Sequence, residues 1–360
     1  MTKKKVYLTL QNGRTFQGYR FGAAGELTGE LVFSTKMVGY VETLTDPSNY
    51  GQIIVQTFPL IGNYGVMRCD AESNRAWVSA YVVREICDEP SNFRSEGKLD
   101  EYLKEQGVVG IYGVDTRELT KILREEGAMN ARISDKPLTE EKLADIAAYK
   151  IENATQTVCG KEKGYFAAEN PCYTVALWDF GAKYSAISNL VEQGCNVMTF
   201  PADTTAEELL SSGVDGIVLS DGAGNPAENV AIIDEIKKLL GKKPIFGMGL
   251  GYQLLALAMG AETKKQKYGH RGGNQPVKCT KCGKVYVSTQ NHGYEVVANS
   301  VKDGEISFVN VNDGSCEGLD YAVQNAFGVQ FTPECCSIGV PVNPIYEKFF
   351  TLMKKEKENA

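Results

Sequence analysis

Histidine occurs only twice in these 360 residues, at His270 and His292, so any imidazole chemistry must come from one of those two positions. No uninterrupted apolar run reaches the roughly 20 residues needed to cross a bilayer. Excess positive charge is also missing. There are 38 Lys and Arg against 45 Asp and Glu, for a net charge of −7 and a pI near 5.2. That balance argues against nucleic acid or an anionic membrane as the main partner. No Walker A pattern occurs. Gly247-Met248-Gly249-Leu250-Gly251 is spaced G-x-G-x-G, not the G-x-G-x-x-G of a dinucleotide loop. The N-terminus begins Met1-Thr2-Lys3-Lys4-Lys5, but the apolar stretch that follows is too short for the core of a signal peptide. A cytoplasmic protein is therefore expected. Its ten cysteines read as reduced thiols. The single C-x-x-C, Cys279 to Cys282, offers two ligands where a structural zinc site wants four, so it is read as a tight hairpin turn and no metal is expected.

What is present begins with a strand-to-helix signature. The run Ile245-Phe246-Gly247-Met248 passes through Gly249-Leu250-Gly251 into a helical pattern, as a nucleophile elbow does. The position that should hold a sulfur or hydroxyl is Gly249. Glycine tolerates a left-handed turn without steric cost but has nothing to attack with.

The chain divides by texture. Residues 1–150 mix short alternating strands with helical runs. Asn12-Gly13 marks a hairpin, and helices are expected at 99–106 and 116–126, the second capped by Asp115 and closed at Gly127. A polar stretch, 151–172, reads as a linker. From Tyr173 strands (174–178, 196–200, 216–219, 244–247) alternate with helices (184–192, 205–210, 230–240), which predicts a doubly wound parallel sheet over 173–360. The pattern after the elbow helix is β-rich through Val287. A last strand is expected at 322–331, before a terminal helix from Tyr346. The expected class is α/β, a mixed α/β module followed by a doubly wound domain. Ligands in such sheets sit at the carboxyl ends of the strands. Both the elbow and the turn Ser220-Asp221-Gly222-Ala223-Gly224-Asn225-Pro226 fall there.

Four segments of the second half belong together: Leu219 to Pro226, the elbow, Ser288-Thr289-Gln290-Asn291-His292-Gly293-Tyr294, and Val329-Gln330-Phe331-Thr332-Pro333-Glu334. Their order resembles the class I glutamine amidotransferases. With Tyr268 to Asn274, and with Phe33 to Tyr40, Leu44 to Ser48, Ile61 to Gly65, Pro90 to Arg94 and Gly113 to Arg117 in the first half, the resemblance narrows to the small subunits of carbamoyl phosphate synthetases and covers nearly the whole chain.

That resemblance implies a thiolate nucleophile, a His base and an orienting Glu. Here the three positions hold Gly249, Thr332 and Glu334. Tyr252 stands where the family's elbow carries a histidine, and His270 and His292 fall in motifs where its histidine is not catalytic. The resemblance also implies a glutamine site built from Ser48, Gly222, Gly224, Leu250, Gln253, Asn291, Gly293 and Tyr294, with the N–H groups of Gly224 and Leu250 as the oxyanion hole. Asp221, Ala223 and Asn225 depart from the family's Asn, Pro and Asp. Cys335 and Cys336 are poor substitute nucleophiles, because a neighbouring carboxylate suppresses the thiolate.

Two functions are therefore expected in contention. One is a small subunit that supports carbamoyl phosphate synthesis, for pyrimidine or arginine pathways, with its own glutamine hydrolysis lost. Its partner would be the large subunit, which would carry ATP and magnesium, leaving no cofactor in this chain. The other is a stand-alone pseudo-glutaminase that senses glutamine or another metabolite.

Overall fold

The computed structural model describes residues 4–333 and 343–359. The chain forms two compact units, Met1–Glu152 with Lys267–Gly272, and Asn153–Gln266 with Gly273–Ala360. Among the described residues no helix is long and apolar enough to cross a membrane.

In the first unit the strands are β1 (Lys5–Leu10), β2 (Thr15–Gly22), β3 (Leu27–Ser34), β4 (Gln52–Gln56), β5 (Leu60–Ile61), β6 (Ala80–Val82), β7 (Glu85–Ile86), β8 (Val109–Tyr112) and β9 (Met129–Ser134). Its helices are α1 (Tyr40–Thr45), α2 (Leu99–Glu105), α3 (Thr116–Glu126) and α4 (Leu143–Ala148). Seven strands close into a barrel in the order β1-β2-β8-β6-β4-β3-β9, while β5 and β7 pair by themselves. Alternate residues fill the interior: Val6, Leu8 and Leu10 from β1, Ile53 and Val55 from β4, Ala131 and Ile133 from β9. That period of two is the pleat of a strand with one buried face. The β1–β2 hairpin turns at Asn12-Gly13 as its dipeptide predicts, the Gly13 N–H donating to the Leu10 carbonyl at 2.9 Å. Helix α3 starts where Asp115 accepts from the Glu118 N–H at 3.0 Å, and it buries Leu119, Ile122 and Leu123 against the barrel core.

The second unit adds α5 (Ala154–Val158), β10 (Gly164–Phe166), β11 (Tyr173–Phe180), α6 (Tyr184–Glu192), β12 (Cys195–Phe200), α7 (Ala206–Ser211), β13 (Gly216–Gly222), α8 (Val230–Leu239), β14 (Ile245–Met248), α9 (Leu250–Ala258), β15 (Thr263–Cys279), β16 (Val285–Val296), β17 (Glu305–Asn310), β18 (Cys316–Tyr321), β19 (Ala326–Val329) and α10 (Pro344–Asn359). Residues 267–272 of β15 group with the first unit. One sheet of ten strands runs β10-β12-β11-β13-β14-β19-β18-β16-β15-β17, with β12 through β19 parallel at its centre. Both faces are covered. Ile232, Ile236 and Leu239 of α8 and Leu254 and Leu255 of α9 pack on one face, and Leu190 of α6 with Tyr346, Phe349 and Met353 of α10 on the other. The α/β architecture expected from sequence holds in both halves.

Three local readings change. The stretch 151–172, expected as a linker, carries α5 and β10, and β10 extends the sheet by pairing antiparallel with β12. The last parallel strand is Ala326–Val329, shorter than 322–331. Residues Ala322–Gln324 form a 3-10 turn that ends at Asn325 with φ of 54°. Strands β17 and β18 were not anticipated.

Candidate functional site

Three parallel strands deliver their carboxyl ends to one place. β13 ends in Asp221-Gly222, β14 ends in Met248 just before Gly249, and β19 runs out into Gln330, Phe331 and Thr332. Phe180, the last residue of β11, leads through Gly181 and Ala182 to Lys183. Lys183, Asp221, Gly249, Gln330 and Thr332 line a common cavity of about 20 Å³. That is room for about one water molecule.

Gly249 is the N-cap of α9, with φ 50° and ψ −111°. Only glycine adopts that backbone without strain. Its N–H donates to the Val329 carbonyl at 3.0 Å and its carbonyl accepts from the Gln253 N–H at 3.2 Å, so the turn is tied to the neighbouring strand and to its own helix. The strand-to-helix elbow is fully built. A β-carbon placed on Gly249 would lie 2.1 Å from Asp221 Oδ1 and 2.4 Å from its Cγ. The space a nucleophilic side chain would need belongs to Asp221.

The Asp221 carboxylate is held from several sides. Oδ1 accepts from the Gly222 N–H at 2.8 Å and from the Leu250 N–H at 3.0 Å. The Lys183 ammonium stands 3.9 Å from Oδ2, with side chains only 13% and 23% exposed. Both hydrogen bonds are charge-assisted, which makes them stronger than neutral ones of the same length. Two N–H groups, those of Gly222 and Leu250, thus converge on this one oxygen. Gly222 has no room for a side chain, since a β-carbon there would meet the Phe180 carbonyl oxygen at 2.2 Å.

The other expected residues distribute as follows. Thr332 lines the cavity, and its N–H donates to the Thr289 carbonyl at 3.0 Å. Gln253, 3% exposed on α9, gives its Nε2 to the Tyr294 carbonyl at 2.8 Å and to Gln330 Oε1 at 2.7 Å. Asn291, Gly293 and Tyr294 lie on β16, and Gly224 sits in the turn after β13 with φ of 94°. Ser48 belongs to the first unit, on the turn Pro47–Asn49, where its N–H and hydroxyl both donate to Asp46 Oδ1 at 3.0 and 2.6 Å. Glu334, with Cys335 and Cys336, lies outside the described residues.

Among the described residues that line this cavity there is neither an imidazole nor a thiol; Lys183, Ser185, Asp221 and Thr332 are its ionisable or hydroxyl-bearing side chains. The His292 ring is held between the Tyr294 carbonyl (Nδ1, 2.8 Å) and Gln290 Oε1 (Nε2, 3.0 Å), and it does not line the cavity. Tyr252 is fully buried, its hydroxyl donating to the Cys316 carbonyl at 3.2 Å. Burial, then the neighbouring Cys316, pushes its phenol well above the ordinary range. Cys279 and Cys282 bound the turn between β15 and β16, as expected, with the Gly283 N–H donating to the Cys279 carbonyl at 2.9 Å. Lys183 and Gln330 were not anticipated as site residues. Their one signal in sequence is position, just beyond the carboxyl ends of parallel strands.

Comparison with known proteins agrees with this layout. Residues 8–133 match the family described as carbamoyl-phosphate synthase small chain, CPSase domain, and residues 176–350 match glutamine amidotransferase class-I. The carbamoyl phosphate synthase small chain of Clostridium perfringens is 45% identical over 346 residues, spanning 96% of this chain and 98% of that one. That of Syntrophotalea carbinolica is 42% identical over 373 residues, spanning 99% of both, and that of Bacillus caldolyticus is 42% identical over 98% of this chain and 97% of its own. With the two domains in that order and relatives aligned along almost their whole length, this chain belongs to the carbamoyl phosphate synthase small-chain family.

Proposed function

We propose that this chain is a small subunit that partners the large subunit of a carbamoyl phosphate synthase without hydrolysing glutamine itself. The observation that carries the reading is Gly249. The elbow is built to present a nucleophile and presents none. Acyl transfer from a carboxamide by this route needs a nucleophile and a base acting together, and removing both leaves only binding and oxyanion contributions. Thr332 offers a hydroxyl but has no imidazole beside it at the cavity. The large subunit would then draw on free ammonia, with bicarbonate and ATP, while this chain binds it, shapes it and covers its ammonia entrance. The barrel unit supports that reading over a stand-alone sensor, since glutamine chemistry alone would not call for a second unit of this size.

The test is co-purification with the large subunit at micromolar concentrations, followed by carbamoyl phosphate synthesis with ammonia or with glutamine as the nitrogen source. Association with synthesis from ammonia only is the expected result. Failure to associate would leave the sensor reading in its place. Synthesis from glutamine as fast as from ammonia would defeat the proposal.

A further inference from the structure

Whether a site that cannot hydrolyse glutamine still holds it is a separate question, and the geometry around Asp221 answers it. An oxyanion seat is defined by donors 2.7–3.1 Å from the oxygen that develops charge. Asp221 Oδ1 stands 2.8 Å from the Gly222 nitrogen and 3.0 Å from the Leu250 nitrogen, at the mouth of the elbow. It is a charged oxygen in the place of the charged oxygen that the reaction would generate. The same atom lies 2.1 Å from where a Gly249 β-carbon would be, so it also fills the nucleophile's volume. Lys183, 3.9 Å from the other carboxylate oxygen, neutralises the group in a setting where its charge would otherwise be costly.

We infer that Asp221 is a built-in occupant of the oxyanion seat, which closes this pocket to the side-chain carboxamide of glutamine. The inference rests on the reading of the pocket as a glutaminase site without its nucleophile. A substrate carbonyl is neutral and must be captured from solution. The Asp221 oxygen is charged and already tethered one residue away, so it holds the two N–H groups against any carbonyl at ordinary concentration. The cavity left beside it, next to Gly249, is about 20 Å³, room for about one water. Gly249 and Asp221 are thus complementary. The absence of a side chain at one makes room for the inward rotamer of the other, and that rotamer excludes both nucleophile and substrate. Sequence alone shows two independent substitutions; the structure makes them one device.

Calorimetric titration of the full chain with L-glutamine, in wild type and in Asp221→Ala, tests this without any need for turnover. Wild type should show no binding up to several millimolar. Asp221→Ala, which frees both donors and the volume, should bind at least about tenfold more tightly. Amide hydrogen exchange in the ligand-free wild type gives a second measurement that needs no variant, with the Gly222 and Leu250 amides expected to be protected. Equal affinity in wild type and variant, or rapid exchange at both amides, would overturn the inference. Ammonia release is followed in the same samples. Wild type that binds glutamine without releasing ammonia defeats the plugged seat but leaves the lost hydrolysis standing, whereas ammonia release by wild type defeats the functional reading itself.

Discussion

Replacing Gly249 by alanine adds one carbon atom where the nearest neighbour is the Asp221 carboxylate. Two costs follow. An L-residue held near φ 50°, ψ −111° bears backbone strain of about 1–3 kcal/mol. The new β-carbon would also lie 2.1 Å from Asp221 Oδ1, so the carboxylate must rotate away from the Gly222 and Leu250 N–H groups. Hydrogen bonds to a charged group are worth about 1.5–3 kcal/mol each when nothing replaces them. Asp221 is 23% exposed and recovers part of this from water, so about 1–2 kcal/mol is the net loss. The sum, about 2–5 kcal/mol, corresponds to a fall of roughly 4–20 °C in the melting transition of the second unit, at about 2–4 °C per kcal/mol for a body of this size. Scanning calorimetry of Gly249→Ala, Asp221→Ala and the double variant completes a cycle. With Asp221 already truncated, the alanine meets only the backbone term. The double variant should therefore be more stable than additivity predicts, by about 1–2 kcal/mol. Additivity within about 0.5 kcal/mol would refute the steric conflict, and an unchanged melting temperature for Gly249→Ala would refute the strained elbow.

The remaining expectations are local. Gly249→Cys combined with Thr332→His should release ammonia from glutamine faster than either single change, because nucleophile and base act as a unit, and adding Asp221→Ala should raise the rate again. A pair no better than its better single variant would contradict this. Among the described cysteines, Cys282 should be alkylated first near neutral pH. Hydrogen bonding from the Lys284 backbone, then from Cys279, lowers its thiol, so its thiolate is populated at a lower pH than that of an ordinary cysteine. Cys195, pushed up to about 12 by burial, should stay unmodified, and mass mapping of the labelled protein reads both. Asp115→Ala should cost the first unit about 1 kcal/mol in urea denaturation, the usual value of a lost N-cap, with Asp115→Asn recovering most of it.

Sequence was most informative where local chemistry decides structure. Asn12-Gly13 specified its hairpin, Asp115 and Gly127 bounded α3, and the run from Ile245 into Leu250 specified the elbow to within a residue. Buried parallel strands such as β13 and β14 were legible because both of their faces are apolar. What stayed hidden depends on partners distant in the chain. β10 is three residues long and exposes Tyr165 and Phe166, so no periodicity marks it, and only its pairing with β12 makes it a strand. Barrel closure requires β1 to meet β9, a pairing of residues more than 120 apart that no local pattern encodes. At the site, the missing nucleophile could be seen from Gly249 alone. The role of Asp221 could not, because it rests on a rotamer and on the Leu250 amide 29 residues later. Lys183 and Gln330 reach the cavity only because β11 and β19 end beside β13 and β14.

An intact elbow without a nucleophile should leave this chain unable to hydrolyse glutamine. Ammonia release from amide-labelled glutamine by the purified chain, alone and saturated with the large subunit, measures it directly. Release at the uncatalysed rate is expected in both states, while the same complex makes carbamoyl phosphate from added ammonia. Labelled ammonia appearing well above that background in either state would contradict it.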